Sequence, residues 1–330
     1  MANNTKIGWT DRTWNPETGC TKVSPGCDHC YMFRQWPRLH GMGAKGYQGE
    51  PSQVALHPER LGEPLKWKKP QKVFVCSMGD LFHSDVPWQF ICEAFEVMAS
   101  TPHITYQVLT KRPGRMMFFA KHVWTHWSAT SKLTGIPLLY PKNHDEWPPN
   151  VWAGTSVESE HDGKRRLTAR LDLLAQVPAK VRFVSVEPML GPVDLSLWLV
   201  CPACKGQGTR PGYTDDVYEG QETCHTCDRG NFDYHDWQKP TSGRFLDWVI
   251  VGGESGPGAR PMNPEWVRNI KEQCEYAEVP FFFKQWGEHR PETHWILNKG
   301  AVCVSTLPLN KVGVKAAGAL LDGREYREMP

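Results

Sequence analysis

Short runs of β-branched and aromatic residues recur along the chain, and each ends abruptly in polar, glycine or charged residues. Runs this short and this apolar are typical of strands buried on both faces, as in a parallel sheet. Six of them are predicted strands: Val73–Cys76, Thr105–Leu109, Val151–Gly154, Val181–Val186, Trp248–Val251 and Val279–Phe283.

Helical patterns separate several of these runs. Asp85–Pro87 can begin one helix, residues 164–177 carry leucines at three-to-four spacing, and Asn263–Glu265 opens a third. This alternation predicts an α/β fold with a parallel sheet. Six or seven strands favour a partial or closed (βα) barrel. A doubly wound sheet stays open as an alternative, although no GxGxxG motif follows any strand and the glycine-rich Gly252–Gly258 has a different spacing.

Two segments interrupt the alternation. Residues 117–150 form an irregular excursion rich in tryptophan and proline, and residues 200–244 carry a cysteine cluster with the composition of an inserted module. We therefore expect a discontinuous barrel (1–199 and 245–295), an inserted module (200–244) and a C-terminal tail (296–330).

Composition narrows the class of protein. The chain has 330 residues, 40% hydrophobic and 22% charged, which excludes disorder as the main state and suffices for one large core or two ordinary ones. No apolar run is long enough for a membrane span and no signal-peptide pattern is present, so we expect a cytoplasmic protein. A net charge of +2 neither indicates nor excludes nucleic acid as a partner.

Seven of the 11 cysteines fall into two clusters. An odd number without an export signal disfavours a disulfide framework and favours metal ligands. In the second cluster, Cys201 and Cys204 form one CxxC pair and Cys224 and Cys227 another, with 19 residues between the pairs. Four thiolates at this spacing predict a structural zinc ribbon, a closed tetrahedral site without a catalytic role.

The first cluster, Cys20, Cys27 and Cys30, lies on a single loop in the pattern CxxxxxxCxxC. Three thiolates with no obvious fourth suit an iron–sulfur cluster that leaves one iron open. A zinc site completed by His29 or by a distant residue explains the spacing equally well.

Charged and polar residues follow every predicted strand. In a parallel barrel these strand ends share one face, where barrel active sites lie, so their recurrence favours a functional ring over isolated surface charges. The residues are Gly79 and Asp80, Lys111 and Arg112, Ser156 and Glu158, Glu187, Glu254, and Lys284.

The three-cysteine loop, the aromatic residue after it and the repeated βα units resemble the radical S-adenosylmethionine superfamily. A phage-associated three-Cys-motif family of uncharacterised activity resembles the chain more closely, over residues 7–290. The superfamily's usual loop is CxxxCxxC, and its Gly-Gly-Glu after the second strand has no copy at Ser77–Asp80. The stretches that carry the closer resemblance are GWTDRTWNPETGCTKVSPGCDHCY, SMGDLFHSDVP, LTKRP, GTSVES, SVEPMLGP, VIVGGESGPGARPM and FFFKQWGE.

The resemblance implies a specific chemistry. The three cysteines would hold a 4Fe–4S cluster, and one electron from it, supplied by an external donor, would cleave S-adenosylmethionine to a 5′-deoxyadenosyl radical that takes hydrogen from substrate. By position, Gly79 and Asp80 would meet the methionine amino group, and Ser156 and Glu158 the ribose. The residues then expected to face substrate are Lys111, Arg112, Glu187, Glu254 and Lys284.

The same resemblance, with its phage association and a weaker likeness to the spore photoproduct lyase family, suggests a nucleic acid or nucleotide substrate. Two other functions stay open. One is a non-catalytic zinc protein that binds nucleic acid, with both cysteine clusters structural. The other is a metal-dependent nuclease that uses the carboxylates of Asp80, Glu158, Glu187 and Glu254.

Overall fold

The computed structural model describes residues 5, 7–127, 147–199, 209–214, 217–223, 245–291, 294–298, 301–305 and 309–330. Its strands are β1 (Arg12–Trp14), β2 (Glu17–Thr18), β3 (Ala55–Leu56), β4 (Gln71–Val75), β5 (Ile104–Thr110), β6 (Val151–Ser156), β7 (Arg182–Val186), β8 (Thr209–Thr214), β9 (Val217–Thr223), β10 (Trp248–Gly252), β11 (Phe281–Gln285), β12 (His289–Pro291), β13 (His294–Asn298), β14 (Ala301–Ser305) and β15 (Leu309–Lys311).

The helices alternate with the longer strands, as the sequence predicts. They are α1 (Tyr31–Gly41), α2 (Pro58–Leu61), α3 (Trp88–Ala99), α4 (Pro113–Phe118), α5 (Ala169–Leu174), α6 (Ser196–Leu199), α7 (Pro264–Ala277) and α8 (Val314–Ala317). The predicted starts of α3 and α7 are confirmed, and the Asn263 side chain caps α7 by accepting from the amide of Glu265 at 2.9 Å. The helix predicted over 164–177 is shorter than expected.

One seven-stranded sheet in the order β1-β4-β5-β6-β7-β10-β11 organises the molecule, and every neighbouring pair in it is parallel. All six predicted strands belong to it. The seventh, β1, was missed because Arg12–Trp14 is short and carries two polar residues. Helices cover the outer face: in β10, Val249 and Val251 pack in the outer core, while Trp248 and Ile250 point to the inner face.

Trp9 shows that this sheet is curved. Its ring lies 4.8 Å from that of Phe74 on β4 and 6.2 Å from that of Trp248 on β10. Those two rings are therefore no more than about 11 Å apart, whereas four strand spacings in a flat sheet span about 19 Å. Because β1 and β11 remain separate edges, the fold is a partial barrel whose interior is closed at one end by Trp9.

The chain after β11 returns to this edge of the sheet. The amide of Phe283 donates to the carbonyl of Tyr326 at 3.0 Å, and the indole N–H of Trp248 donates to the carbonyl of Glu328 at 2.9 Å. An exposed strand edge is a template for unwanted pairing. The last residues of the chain cover the edge that β11 would otherwise present.

The excursion and the inserted module are described in part. Residues 119–123 continue α4 as a π-helical turn, and residues 128–146 lie outside the described chain. In the module, β8 and β9 form an antiparallel pair that joins Thr209 to Thr223. The four predicted zinc ligands, Cys201, Cys204, Cys224 and Cys227, lie outside the described residues. Among the helices that are described, none has the length and apolar character that crossing a membrane requires.

Candidate functional site

A cavity of about 950 Å³ opens at the carboxyl ends of the sheet strands. Its volume is at the upper end of the range for small-molecule sites, about 300–1,000 Å³. The predicted residues in its wall are Cys20, Cys27, Cys30, Gly79, Asp80, Lys111, Arg112, Ser156, Glu187, Glu254 and Lys284. The structure thus brings together every strand-end residue singled out from the sequence except Glu158, which is fully buried.

The three cysteines enter the cavity from one segment, Gly19–Cys30, here called the cysteine loop. Cys27 closes a 3-10 turn, and Cys30 is the N-cap of α1. Gly19 has φ +94°, and a Cβ there would strike the backbone of Gln53, so glycine is required where the loop begins. Within the described residues, no three His, Cys, Asp or Glu side chains gather closely enough to hold a single metal ion.

Arg112 makes the first ionic anchor of the cysteine loop. Its guanidinium donates to Oδ2 of Asp80 at 2.8 Å, to the carbonyl of Thr21 at 3.0 Å and to the Sγ of Cys20 at 3.5 Å. The other oxygen of Asp80 accepts from the Thr110 hydroxyl at 2.7 Å. Burial, and secondarily the charge of Asp80, raises the pKa of the Cys20 thiol to about 12.

Glu158 is the centre of the second anchor. Its Oε1 accepts from the Ser24 hydroxyl at 2.7 Å and forms an ion pair with Lys111, while Oε2 accepts from Arg170 at 3.1 Å. Burial by itself opposes ionisation, yet Lys111 and Arg170 hold the pKa of Glu158 below its usual value. A Cβ on Gly26 would lie 2.5–2.8 Å from this ion pair, so the loop passes directly over it.

Glu254 and Arg260 form the third anchor. The Arg260 guanidinium donates twice to the Glu254 carboxylate, at 2.9 and 2.6 Å, and once to the carbonyl of Pro25 at 2.8 Å. His29 Nδ1 lies 3.1 Å from the same carboxylate. Burial opposes the ionisation of Glu254, but the Arg260 contacts lower its pKa. The far end of the cysteine loop is thereby held to the strand end of β10.

Glu187, which follows β7, and Lys284, on β11, form another ion pair in the cavity wall. Their ion pair joins Lys284 Nζ to Oε1 of Glu187 at 2.6 Å, and each side chain keeps about a fifth of its surface exposed, 24% and 21%. Ser156, on β6, and Gly79 reach the same cavity without an ion pair. The carboxylates of Asp80, Glu158 and Glu254 support the cysteine loop, whereas Glu187 and Lys284 are partly exposed in the cavity.

A fourth carboxyl group, that of Glu17, lies behind this wall. The residue has no exposed surface, and neither carboxylate oxygen has a hydrogen-bond partner of acceptable geometry; its polar neighbours are Cys76 and Asp80. Burial, with a smaller contribution from Asp80, raises the pKa of Glu17 to about 8. Its oxygens press against Gly79, where a Cβ would overlap them. Glu17 is therefore a neutral acid at and below neutral pH.

Sequence reasoning found the ring of strand-end residues but not their partners. It missed Glu17, Ser24, Arg170 and Arg260. Arg260 lies within VIVGGESGPGARPM, one of the stretches that carry the family resemblance. That resemblance was the one sequence feature that indicated a role near Arg260. Glu17 lies on β2, just after β1, which the sequence did not predict. No feature of the sequence therefore indicated that Glu17 is buried.

A family model described as a protein of unknown function, DUF5131, matches residues 4–330. No curated protein matches the chain. Solved structures of spore photoproduct lyase are similar in outline. The complex with dinucleoside spore photoproduct is 10% identical, with a TM-score of 0.40, over 92% of this chain and 70% of the other. A double mutant with bound AdoMet and dinucleoside spore photoproduct is 14% identical, with a TM-score of 0.34, over 54% of this chain and 46% of the other. The chain thus spans less than half the length of that structure.

Proposed function

We propose that this chain, which belongs to the DUF5131 family, is a radical S-adenosylmethionine enzyme whose Cys20, Cys27 and Cys30 hold a 4Fe–4S cluster. One observation carries the proposal. Three cysteines of a single loop line a large cavity at the carboxyl edge of a parallel partial barrel, the edge at which barrel enzymes place their active sites.

The donor set fits such a cluster. Thiolates are the usual ligands of iron–sulfur clusters, and a cluster binds its cysteines through separate iron atoms, so they lie farther apart than the ligands of one tetrahedral ion. In the described chain the cysteines share a cavity wall without converging on a single point. A cluster held by these three cysteines would supply one-electron cleavage of S-adenosylmethionine and so the means to take a hydrogen atom from substrate.

The residues of the wall divide into two roles. Gly79 and Ser156 reach the cavity without an ionic partner and would contact the cofactor. The sequence alone places Asp80 and Glu158 at the cofactor, but their carboxylates are paired with cations, so we assign them to positioning of the cysteine loop. Lys111, Arg112 and Glu254 belong to the same supporting network, which leaves Glu187 and Lys284 as the residues that would face substrate.

A nucleic acid or nucleotide remains the proposed substrate class. The charged residues of the cavity wall support it: besides Lys111, Arg112 and Lys284, which are paired with carboxylates, the wall carries Arg34 and Arg327. A wall with an excess of positive charge attracts phosphate groups. An external one-electron donor is part of the proposal.

The nuclease alternative finds no support in this geometry. Each of the carboxylates it would use is paired with a cation, Asp80 with Arg112, Glu158 with Lys111 and Arg170, Glu187 with Lys284, and Glu254 with Arg260. Carboxylates that bind magnesium must direct free oxygens at a common point.

Iron content tests the proposal directly. Full-length protein reconstituted anaerobically should be brown and contain about four irons per chain. Alanine at Cys20, Cys27 or Cys30 should abolish iron loading, because each variant leaves only two thiolates on the loop. Iron and sulfide analysis with EPR of the reduced protein measures this.

Cys76 is the matched control. It also lines the cavity, but it is buried against Glu17 and is 2% exposed. Cys76→Ala should keep the iron. If that variant loses its cluster as the others do, four cysteines ligate it, no iron is open, and cofactor cleavage is the wrong function.

The inserted module gives a separate prediction. The pairing of Thr209 with Thr223 brings together the two ends of the spacer between the CxxC pairs, as a zinc ribbon requires. We expect about one zinc per chain, lost in Cys201→Ala and Cys224→Ala but kept in Cys92→Ala, whose thiol is buried in α3. Elemental analysis measures it, and zinc retained in the first two variants would refute the assignment.

A further inference from the structure

Arg112 contacts the sulfur of Cys20 as well as the backbone of the cysteine loop. Arg112 is the N-cap of α4, shortly after β5, and its side chain is 15% exposed. Two hydrogen bonds to Thr21, at 3.0 and 2.9 Å, and one to Asp80, at 2.8 Å, fix the position of the planar group. In that position Nη1 donates to the Cys20 sulfur at 3.5 Å.

Neither of the other two sulfurs has a described hydrogen bond from a cation, although the charge of Lys111 acts on Cys30. Among the described contacts, Cys27 has the Ser24 hydroxyl at 4.0 Å, and Cys30 has the backbone amides of Met32 and Phe33. Both are neutral donors. Cys20 is thus the one proposed cluster ligand in contact with a cationic donor within the described chain.

We propose that Arg112 raises the reduction potential of the metal centre through this charge-assisted hydrogen bond, and that Asp80 limits the effect. The inference rests on the proposed function, since it requires a cluster at Cys20. A one-electron reduction adds one negative charge to the cluster and its thiolates. A cation at the sulfur stabilises that reduced state more than the oxidised state, and hydrogen bonds to ligand sulfurs are among the known determinants of cluster potential.

Asp80 should shift the reduction potential in the direction opposite to Arg112. Its carboxylate pairs with the same guanidinium and opposes the field at the cluster. Removing Arg112 and removing Asp80 should therefore shift the potential in opposite directions. A purely structural role predicts otherwise, because both changes release the same loop contact and would disturb the cluster in the same way.

The test is a redox titration of the full-length reconstituted protein with dithionite, followed by EPR of the reduced cluster. Arg112→Gln should make the midpoint more negative, lowering the ratio of reduced to oxidised cluster at a fixed potential at least about tenfold, which is 59 mV for a one-electron couple. Asp80→Asn should make it more positive. Arg112→Lys, which keeps the charge but not the planar fork, should fall between wild type and Arg112→Gln.

Arg165→Gln is the matched control. Arg165 also holds the cysteine loop, donating to the carbonyl of Val23 at 2.7 Å, but it has no described contact with a cysteine sulfur. Its potential should equal that of wild type. Potential shifts of the same sign in Arg112→Gln and Asp80→Asn, or no shift in either, would overturn the inference. The assignment of a cluster to the cysteine loop would then still stand. If Arg112→Gln takes up no iron, Asp80→Asn and Arg112→Lys test the same signs. A wild-type protein without iron would instead overturn the proposed function, and the inference with it.

Discussion

Glu158→Gln is expected to lower the free energy of unfolding by about 3–5 kcal/mol, the range for removing one partner of a buried ion pair. The carboxylate has no exposed surface and compensates two cations, Lys111 and Arg170, whose side chains are 19% and 11% exposed. Glutamine keeps the volume but offers one acceptor and places an amide N–H₂ against cations. Two positive charges then remain in a poorly solvated site without a counter-charge. Urea unfolding of the full-length protein measures the loss.

An exposed ion pair supplies the control. Lys271 and Glu275 are one turn apart on α7, and Glu275 is 58% exposed. Glu275→Gln should cost less than about 0.5 kcal/mol, because water screens exposed pairs. If Glu158→Gln costs no more than this, the anchor under the cysteine loop contributes nothing to stability, and positioning by Glu158 would have to be abandoned.

The fold could be predicted from sequence because its determinants are local. A strand buried on both faces is mostly apolar, so each of the six predicted strands contains a short run rich in β-branched and aromatic residues; they are β4, β5, β6, β7, β10 and β11. The start of α7 likewise follows from Asn263 and Pro264. β1 left no such run, because it is an edge strand of three residues. The number of strands favoured a partial or closed barrel, and the partial barrel is confirmed. The degree of curvature could not be predicted, since it depends on Trp9 packing against rings from strands distant in sequence.

The site was predictable as a set of positions but not as a set of interactions. Parallel strands bring their carboxyl ends to one edge, so Asp80, Glu158 and Glu254 could be placed together from sequence alone. Whether each carboxylate faces a ligand or a cation depends on partners from other elements. Arg260 lies only six residues after Glu254, but Arg112 is 32 residues from Asp80 and Lys111 is 47 from Glu158. The sequence alone does not distinguish a carboxylate that binds a cofactor from one in a structural ion pair, because both leave an acidic residue at the end of a strand.

Glu17 makes the stability of the protein depend on pH, and no sequence motif indicated this, because the main cause is its burial. Burial raises the pKa of this carboxyl from 4.5 to about 8. A raised pKa means that the folded protein binds a proton that the unfolded chain releases from about pH 4.5 upward. The contribution to stability is therefore complete below pH 4.5, declines as the pH rises, and is lost above about pH 8.

Glu17→Gln should remove that decline. Glutamine is neutral at every pH and close in size, so the variant and the wild type should have similar stability near pH 5. At pH 9 the variant should be more stable by about 3–5 kcal/mol, given about 1.4 kcal/mol per pKa unit. Urea unfolding of both full-length proteins at the two pH values measures the difference. Glu50→Gln, at an exposed position, should track wild type at both. A Glu17→Gln variant that is no more stable than wild type at pH 9 would mean that Glu17 ionises in the folded protein at little cost, and that the carboxyl behind Gly79 has a cationic or solvent partner.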